Sequence, residues 1–192
     1  MKIIKADWRP DTDKKLQWRH KHTETILKTR IFSIANLTLA HPRQNRESDF
    51  YCFHAKDWAL VFALTRHNML VVIEQFRFGS LHTTLEAPGG VIDKNETPEQ
   101  AAQRELREET GFSAAAFKHM ASLNPNPAIN NNKIHFIMAT GAGQTHNCSP
   151  DRDEIIDCAL ISLADFEKLI DRGKIDHALI TAGFYYLKKN LT

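Results

Sequence analysis

The stretch Gly90–Phe112, GVIDKNETPEQAAQRELREETGF, carries the signals for one capped helix. Thr97 can accept hydrogen bonds from the first free backbone N–H groups, and Pro98 suits the first helical position. Gln100 completes a capping box, and Gly111 suits a left-handed stop. The small and apolar residues that form a stripe on one face of this helix are Ala101, Ala102 and Leu106. The stretch therefore predicts a helix that packs one face on a core.

The same helix carries three glutamates on neighbouring positions of one face. Glu105 and Glu109 are four residues apart and Glu105 and Glu108 three apart, so their Cβ atoms lie about 5–6 Å from each other. Like charges at this spacing destabilise an isolated helix by about 0.2–0.5 kcal/mol per pair, and Arg104 can offset only part of that. A cluster of hard oxygen ligands suits Mg²⁺ or Mn²⁺. The alternatives are a divalent metal site and a solvated acidic helix face.

The spacing of the whole stretch favours the metal site. Nine positions over 23 residues match the Nudix box, G-x5-E-x7-R-E-U-x-E-E-x-G-U, in which U is a bulky apolar residue. The matching positions are Gly90, Glu96, Arg104, Glu105, Leu106, Glu108, Glu109, Gly111 and Phe112. The segment therefore resembles the box of a Nudix hydrolase, with no departure inside it.

Apolar runs predict strands on both sides of this helix. The runs 58–64 and 69–76 suit strands buried on both faces, and their short polar connection predicts a hairpin. The run 133–140 predicts a further strand, and the polar, glycine-containing segment 141–153 predicts a long loop. Residues 174–190 predict a last helix with one apolar side.

This order of elements fits an α+β protein. The resemblance implies the Nudix fold, a mixed β-sheet sandwiched between helices, with the box as its loop–helix–loop. Residues 25–41 suit one or two strands. We expect residues 1–40 to form a β-rich N-terminal extension with a role in dimerisation, and residues 41–192 to form the Nudix hydrolase domain.

Three features outside the box resemble the ADP-ribose pyrophosphatase branch of the family. The sequence EQFR ends at Arg77, the arginine that contacts the substrate in that branch, and a guanidinium can pair bidentately with phosphate. Glu86 in LEAPGG matches a glutamate that the branch places beside the metals or the substrate. Pro127, 15 residues after Phe112, resembles the marker of the ADP-ribose-cleaving subgroup, although Ala128 follows it where that subgroup usually has glycine. The alternatives are a surface ion pair for Arg77, a strand-end charge for Glu86 and a plain turn at Pro127.

The resemblance also implies a metal shell. Glu105 and Glu109 would be the main ligands, Glu108 would assist, and the backbone carbonyl of Gly89 would complete the shell. The branch usually has alanine where this chain has Gly89, a change that a backbone ligand should survive. Arg104 would orient Glu108 or Glu105. The expected cofactor is Mg²⁺, with Mn²⁺ as the alternative.

A general base is expected in the polar segment before the last predicted strand. Glu154 lies where the branch commonly carries this residue, and Asp151 and Asp153 are its competitors. With Glu108 and Arg104, Glu154 forms the catalytic group that the resemblance implies. The remaining alternative for the segment is a solvated acidic loop.

The resemblance implies hydrolysis of the pyrophosphate bond of a nucleoside diphosphate sugar. ADP-ribose, cleaved to AMP and ribose 5-phosphate, is the first candidate, and GDP-mannose or another nucleotide sugar is the alternative. A non-catalytic nucleotide-binding regulator is the alternative of another class, which the complete set of box glutamates argues against. Four aromatic residues are candidates for stacking on the base: Trp8, Trp18, Tyr51 and Phe76.

Composition excludes several other classes. Apolar residues make up 42% and charged residues 25% of the 192 residues, as in globular proteins with a sizeable core. The net charge of +2 without a dense basic cluster argues against a nucleic-acid partner. No apolar run approaches the length of a membrane span, and the N-terminal residues lack a leader signal. We expect a cytoplasmic homodimer whose segments 1–40 are exchanged between subunits, as is usual in the branch.

Overall fold

The computed structural model describes Ala6, residues 16–149 and residues 155–191. The chain divides into two compact units, of which the first runs through Ala55 and includes Asn126–Asn131. The second comprises Lys56–Pro125 and Asn132–Thr192. None of the helices in the described part of the chain has both the length and the apolar character that crossing a membrane needs.

The first unit contains a three-stranded antiparallel sheet. Its strands are β1 (Arg19–Lys28), β2 (Phe32–Ala40) and β3 (Glu47–Ala55), with β2 in the middle. The segment that suited one or two strands therefore holds parts of two. This unit extends beyond residue 40, the boundary expected from the sequence, because β3 pairs along its whole length with β2.

The second unit contains an eight-stranded sheet. Its strands are β4 (Trp58–Thr65), β5 (Met69–Arg77), β6 (His82–Glu86), β7 (Gly89–Val91), β8 (Phe112–Ser113), β9 (Ala116–Leu123), β10 (Ile134–Gln144) and β11 (Ile156–Ser162). The central order is β11-β5-β4-β10-β8, while β6 pairs with β5, β7 with β4 and β9 with β10. The sheet is mixed, because β10 runs parallel to β4 and the other pairs are antiparallel.

Helices cover both faces of this sheet. They are α1 (Pro98–Thr110), α2 (Leu163–Asp171) and α3 (Ala178–Leu191). One core contains the apolar residues of α1 and the alternate β4 residues Ala59, Val61 and Ala63. The other core contains residues of α2 and α3 with the intervening β4 positions. The predicted α+β architecture, a mixed sheet between helices, is confirmed.

Local signals determine the ends of α1. The Thr97 side chain accepts a hydrogen bond from the Gln100 N–H, and the Gln100 side chain accepts one from the Thr97 N–H. Gly111 ends the helix at φ 73°. A Cβ at Gly111 would lie 2.2 Å from the carbonyl oxygen of His146, so this position needs glycine both for its backbone angle and for space.

The segment after β10 contacts the end of α1 through its backbone. The N–H groups of Thr145 and His146 donate to the Gly111 carbonyl at 2.9 and 3.0 Å, and the Ser149 N–H donates to the Glu108 carbonyl at 2.8 Å. These three bonds satisfy carbonyl groups that a helix C-terminus leaves without intrahelical partners.

Two element boundaries differ from the sequence predictions. Strand β10 continues to Gln144 instead of ending at Thr140, because Gly143 and Gln144 pair with the two residues of β8. Helix α3 begins at Ala178 rather than at residue 174. His177, the residue before the helix, accepts the N–H of Leu179 through its ring nitrogen Nδ1. The predicted strands at 58–64 and 69–76 are confirmed.

Candidate active site

Two of the predicted metal ligands meet the backbone of β7. The Gly89 N–H donates to Glu109 Oε2 at 2.8 Å. A Cβ at Gly90 would lie 2.3 Å from Glu105 Oε1, so this carboxylate lies directly on the glycine. Glu109 is 3% exposed and the side chain of Glu105 14% exposed. Helix α1 therefore brings both carboxylates to the Gly89–Gly90 step.

Arg104 connects most of the remaining box carboxylates. Its Nε and Nη2 donate to the two oxygens of Glu96 at 2.9 and 3.0 Å. Its Nη1 donates to Glu105 at 2.7 Å and to Glu108 at 3.2 Å, and Nη2 also donates to the Val91 carbonyl at 3.0 Å. Arg104 thus contacts both glutamates that it was expected to orient, and Glu96 is its third carboxylate partner.

The charged groups of this cluster shift each other's pKa values. The hydrogen bonds to Glu96, followed by those to Glu105 and Glu108, raise the pKa of Arg104 despite its partial burial. The hydrogen bonds from Arg104 lower the pKa of Glu96, and a backbone N–H from Asp93 acts in the same direction. Both groups are therefore charged at neutral pH.

The oxygen atoms of this cluster suit a divalent cation. The carboxylates of Glu105 and Glu109 both lie at the Gly89–Gly90 step, and carboxylate oxygens are hard ligands that suit a divalent cation such as Mg²⁺. Among the described residues, no group of three or more histidine, cysteine, aspartate or glutamate side chains is arranged to hold a metal ion.

Arg77 lies on the same face of the sheet as α1. Val71 packs in the core of α1, and the alternation of β5 turns Arg77 to the same side. Its Nε and Nη2 donate to the two oxygens of Glu86 at 2.7 and 2.6 Å. The Arg77 side chain is 40% exposed, whereas Glu86 is completely buried. Two residues that were predicted as separate substrate contacts thus form one bidentate pair.

Two further side chains beside this pair were missed by the sequence analysis. The Thr84 hydroxyl donates to Glu86 Oε1, and the His177 Nε2 lies 3.9 Å from Glu86 Oε2. Thr84 stands two residues before Glu86 on β6, so strand alternation could have placed it on the same face. No sequence signal connects His177, at the start of α3, with a carboxylate on β6.

The remaining predicted site residues lie either in the first compact unit or outside the described residues. Pro127 is exposed in a turn of the first compact unit, where the N–H of Asn130 donates to the Asn126 carbonyl at 2.8 Å. The three candidates for the general base, Asp151, Asp153 and Glu154, lie outside the described residues. Their roles and that of Pro127 stay predictions.

The candidate stacking residues lie in different surroundings. Trp18 packs edge-on against His41 and Phe50, with ring centroids 4.7 and 5.1 Å away. Tyr51 is 64% exposed, and Phe76 is 46% exposed beside Phe78. Trp8 lies outside the described residues. Packing against these two rings makes Trp18 the least available of the three described aromatic candidates.

Comparison with known proteins bears on the family. The family model described as NUDIX domain matches residues 54–184. The methanol dehydrogenase activator of Bacillus methanolicus is 30% identical over 129 residues, which are 67% of this chain and 70% of that protein. The ADP-ribose pyrophosphatase of Bacillus subtilis (strain 168) is 28% identical over 129 residues, with the same shares.

A solved structure extends the comparison to the fold. The crystal structure of an ADP compounds hydrolase superposes with a TM-score of 0.81 and 19% identity, over 91% of this chain and 94% of that chain. This confirms the predicted Nudix fold. The predicted resemblance to the ADP-ribose pyrophosphatase branch is confirmed by relatives of that name, and with it the prediction of a Nudix hydrolase enzyme. The match over more than half of the chain shows that this protein belongs to the Nudix family.

Proposed function

We propose that this enzyme hydrolyses the pyrophosphate bond of ADP-ribose with Mg²⁺, giving AMP and ribose 5-phosphate. The observation that carries the proposal is the convergence of Glu105 and Glu109 on the Gly89–Gly90 backbone. Arg77 on the same sheet face supports it, because a cation site beside a guanidinium suits a diphosphate. Relatives named for ADP-ribose support the choice of substrate.

Each residue of the cluster then has a role. Glu105, Glu109 and the Gly89 carbonyl would hold the cation, with Glu108 assisting. A divalent cation supplies charge neutralisation at the diphosphate and acidifies water. Arg77 would hold the diphosphate through its guanidinium and Glu86 would fix that guanidinium in place. Glu154, or its competitors Asp151 and Asp153, would take the proton from the attacking water.

The test is hydrolysis of ADP-ribose by the purified chain with Mg²⁺. We expect AMP and ribose 5-phosphate from the wild type and a loss of roughly 10³-fold in kcat for Glu109→Gln, the scale of removing a catalytic electrostatic group. Glu99→Gln, on the same helix but at a variable position of the box, is the matched control and should keep wild-type activity. Equal activity of wild type and Glu109→Gln would refute the proposed site.

A parallel kcat/KM comparison tests the substrate. ADP-ribose, GDP-mannose, ADP-glucose, NADH and diadenosine polyphosphates should rank with ADP-ribose first by at least about tenfold, a difference of 1.4 kcal/mol. A higher value for GDP-mannose would assign the chain to another nucleotide sugar. Reaction in oxygen-18 water shows which phosphorus is attacked, because the label appears in only one product.

A regulator is the second candidate, because one relative is named as an activator of methanol dehydrogenase. Tight binding of ADP-ribose by the wild type in calorimetry, without turnover at any Mg²⁺ concentration, would favour that role. Turnover that Glu109→Gln abolishes would exclude a purely non-catalytic domain.

We also propose a homodimer in which residues 1–40 take part. Light scattering should give twice the chain mass of 21.9 kDa. A chain that begins at residue 41 should lose dimerisation, and a dimer that persists without residues 1–40 would contradict their role. The cytoplasmic location expected from the sequence stays a prediction.

A further inference from the structure

The Glu86 carboxylate is held at both oxygens by more than one group. Oε1 accepts from Arg77 Nε at 2.7 Å and from the Thr84 hydroxyl. Oε2 accepts from Arg77 Nη2 at 2.6 Å and faces His177 Nε2 at 3.9 Å. Glu86 is 0% exposed, so in the described structure its surroundings are these side chains rather than solvent. Oε1 thus accepts two hydrogen bonds, and Oε2 accepts one and has the His177 ring nitrogen just beyond hydrogen-bond distance.

This environment keeps Glu86 ionised. Burial alone would raise the pKa of its carboxyl group, but the hydrogen bonds from Arg77 and Thr84 and the charge of Arg77 lower the pKa below its ordinary value. A charged carboxylate makes stronger and more directional hydrogen bonds to a guanidinium than a neutral acid does. The orientation of Arg77 therefore depends on what fixes Glu86.

The turn before α3 reaches this pair at two points. The His177 Nδ1 accepts the Leu179 N–H at 3.2 Å, so the ring proton of the neutral imidazole lies on Nε2, the atom that faces Glu86. The Asp176 carboxylate lies 3.2 Å from His82 Nε2, and His82 is the strand partner of Arg77. Both contacts hold the start of α3 against β6.

We propose that Thr84 and His177 are positioning residues that fix the Glu86 carboxylate and thereby orient Arg77 for the substrate diphosphate. The inference rests on the proposed function of Arg77. Thr84 acts from the same strand and restrains Oε1, while His177 acts from α3 and restrains Oε2. Because Arg77 is partly exposed and Glu86 is buried, the arginine is oriented from its buried side.

Thr84 is tested by a matched pair of substitutions. Thr84→Val keeps the shape and the strand preference but removes the hydroxyl, and Thr84→Ser keeps the hydroxyl. We expect Thr84→Val to raise the KM for ADP-ribose about tenfold, the scale of one hydrogen bond to a charged group, with kcat nearly unchanged. Thr84→Ser should stay close to wild type. Equal KM values for Thr84→Val and Thr84→Ser would overturn the role of the hydroxyl.

His177 is tested by two substitutions that separate positioning from helix capping. His177→Asn keeps an acceptor near Nδ1 for the Leu179 N–H and loses the donor at Nε2. His177→Gln keeps a donor near Nε2 and loses the cap. If His177 positions Glu86, the KM of His177→Asn should rise about threefold, less than for Thr84→Val because the His177 contact is longer. The KM of His177→Gln should return towards the wild-type value. The reverse order of KM values, with a lowered Tm for His177→Gln, would show that His177 only caps α3.

A nuclear magnetic resonance measurement makes the test independent of turnover. The Arg77 Nε–H signal, assigned by its loss in Arg77→Lys, should be protected from exchange in the wild type. It should shift and broaden in Thr84→Val and in His177→Asn, and recover in Thr84→Ser and in His177→Gln. If the wild type cleaves no nucleotide while this signal responds, the proposed function fails and the positioning of Arg77 stands. If the wild type cleaves ADP-ribose and neither KM nor the signal responds, the positioning role is overturned.

Discussion

Arg104 and Arg77 are both paired with glutamates on the α1 side of the sheet, but in opposite ways. Arg104 makes hydrogen bonds to three carboxylates and one backbone carbonyl, and its principal partner Glu96 keeps 23% of its side chain exposed. Arg77 is bound bidentately by one carboxylate, that of Glu86, which has no exposed surface. The principal partner of Arg104 is thus partly exposed, whereas the bidentate partner of Arg77 is fully buried.

The comparison shows that the loss of stability on removing an arginine depends on how exposed its carboxylate partners are. When an arginine is removed, the free energy of unfolding falls mainly because its carboxylates are left without a partner, and water can compensate only those that it reaches. The pair whose carboxylate is fully buried, Arg77 with Glu86, should therefore be the costlier one to break. The predictions below test this order.

The largest expected effect belongs to Arg77→Ala. It leaves the Glu86 carboxylate buried without its cation, and we expect the free energy of unfolding at neutral pH to fall by about 3–5 kcal/mol. Urea denaturation measures this fall. In the control, Arg77→Ala combined with Glu86→Leu should recover at least half of the loss, because an apolar residue needs no partner. No recovery in the double variant would show that the buried charge is not the cause.

Arg104→Ala should have the second largest effect on stability. Its carboxylates are partly exposed and can be hydrated, so the expected loss is about 1.5–3 kcal/mol, the scale of hydrogen bonds to charged groups. Arg107→Ala on the same helix is the control, because Arg107 is exposed, and it should change stability by no more than about 0.5 kcal/mol. A loss larger than that of Arg77→Ala would reverse the comparison.

Acid titration gives the third effect. The pKa of Glu86 is lowered from its ordinary value of 4.5, so the unfolded chain binds this proton before the folded chain does. The ionised Glu86 carboxylate therefore contributes to the free energy of unfolding above the ordinary pKa of 4.5, and this contribution is lost as the pH falls below it. The slope is at most about 1.4 kcal/mol per pH unit for one proton. Unfolding experiments in this range should show a shallower slope for Glu86→Gln than for the wild type. Identical slopes would mean that Glu86 does not contribute.

The smallest effect on stability is expected for Gly90→Ala. The three atoms nearest to the added Cβ all belong to the Glu105 carboxylate, the far end of a side chain rather than backbone, so the fold should lose less than about 1 kcal/mol. Because Glu105 must move, kcat should fall by roughly 10²-fold, the cost of misplacing a group at a reacting centre. Gly89→Ala is the contrast, since its Cβ would lie 2.2 Å from the backbone oxygen of Ala59, and it should be the less stable of the two. Wild-type kcat in Gly90→Ala would contradict the placement of Glu105.

Signals within a few residues of one another were sufficient to predict α1 and its glutamates. The capping box spans Thr97 to Gln100, and the spacing of Glu105 and Glu109 puts them on one face whatever the helix packs against. These features need no knowledge of the rest of the chain, because the helical backbone alone brings the residues together. The box spacing then identified the family.

Contacts between distant elements could not be predicted in the same way. The pairing of Arg77 with Glu86 depends on the register of β5 and β6, and the approach of His177 depends on how α3 begins, far along the chain. The predicted end of β10 at residue 140 was wrong. Gly141 and Gly143 suggested a loop, but pairing with β8 keeps the strand extended to Gln144. In each case a tertiary partner, absent from the local sequence, decides the outcome.

The end of α1 is bound from outside the helix. The backbone N–H groups of Thr145, His146 and Ser149 donate to its carbonyl groups, which affects how α1 can open. Fraying of its last turn must break bonds outside the helix, so this end cannot loosen alone. The amide protons of these three residues therefore report on the helix from outside it, and their exchange with solvent should slow or quicken together with that of its final turn.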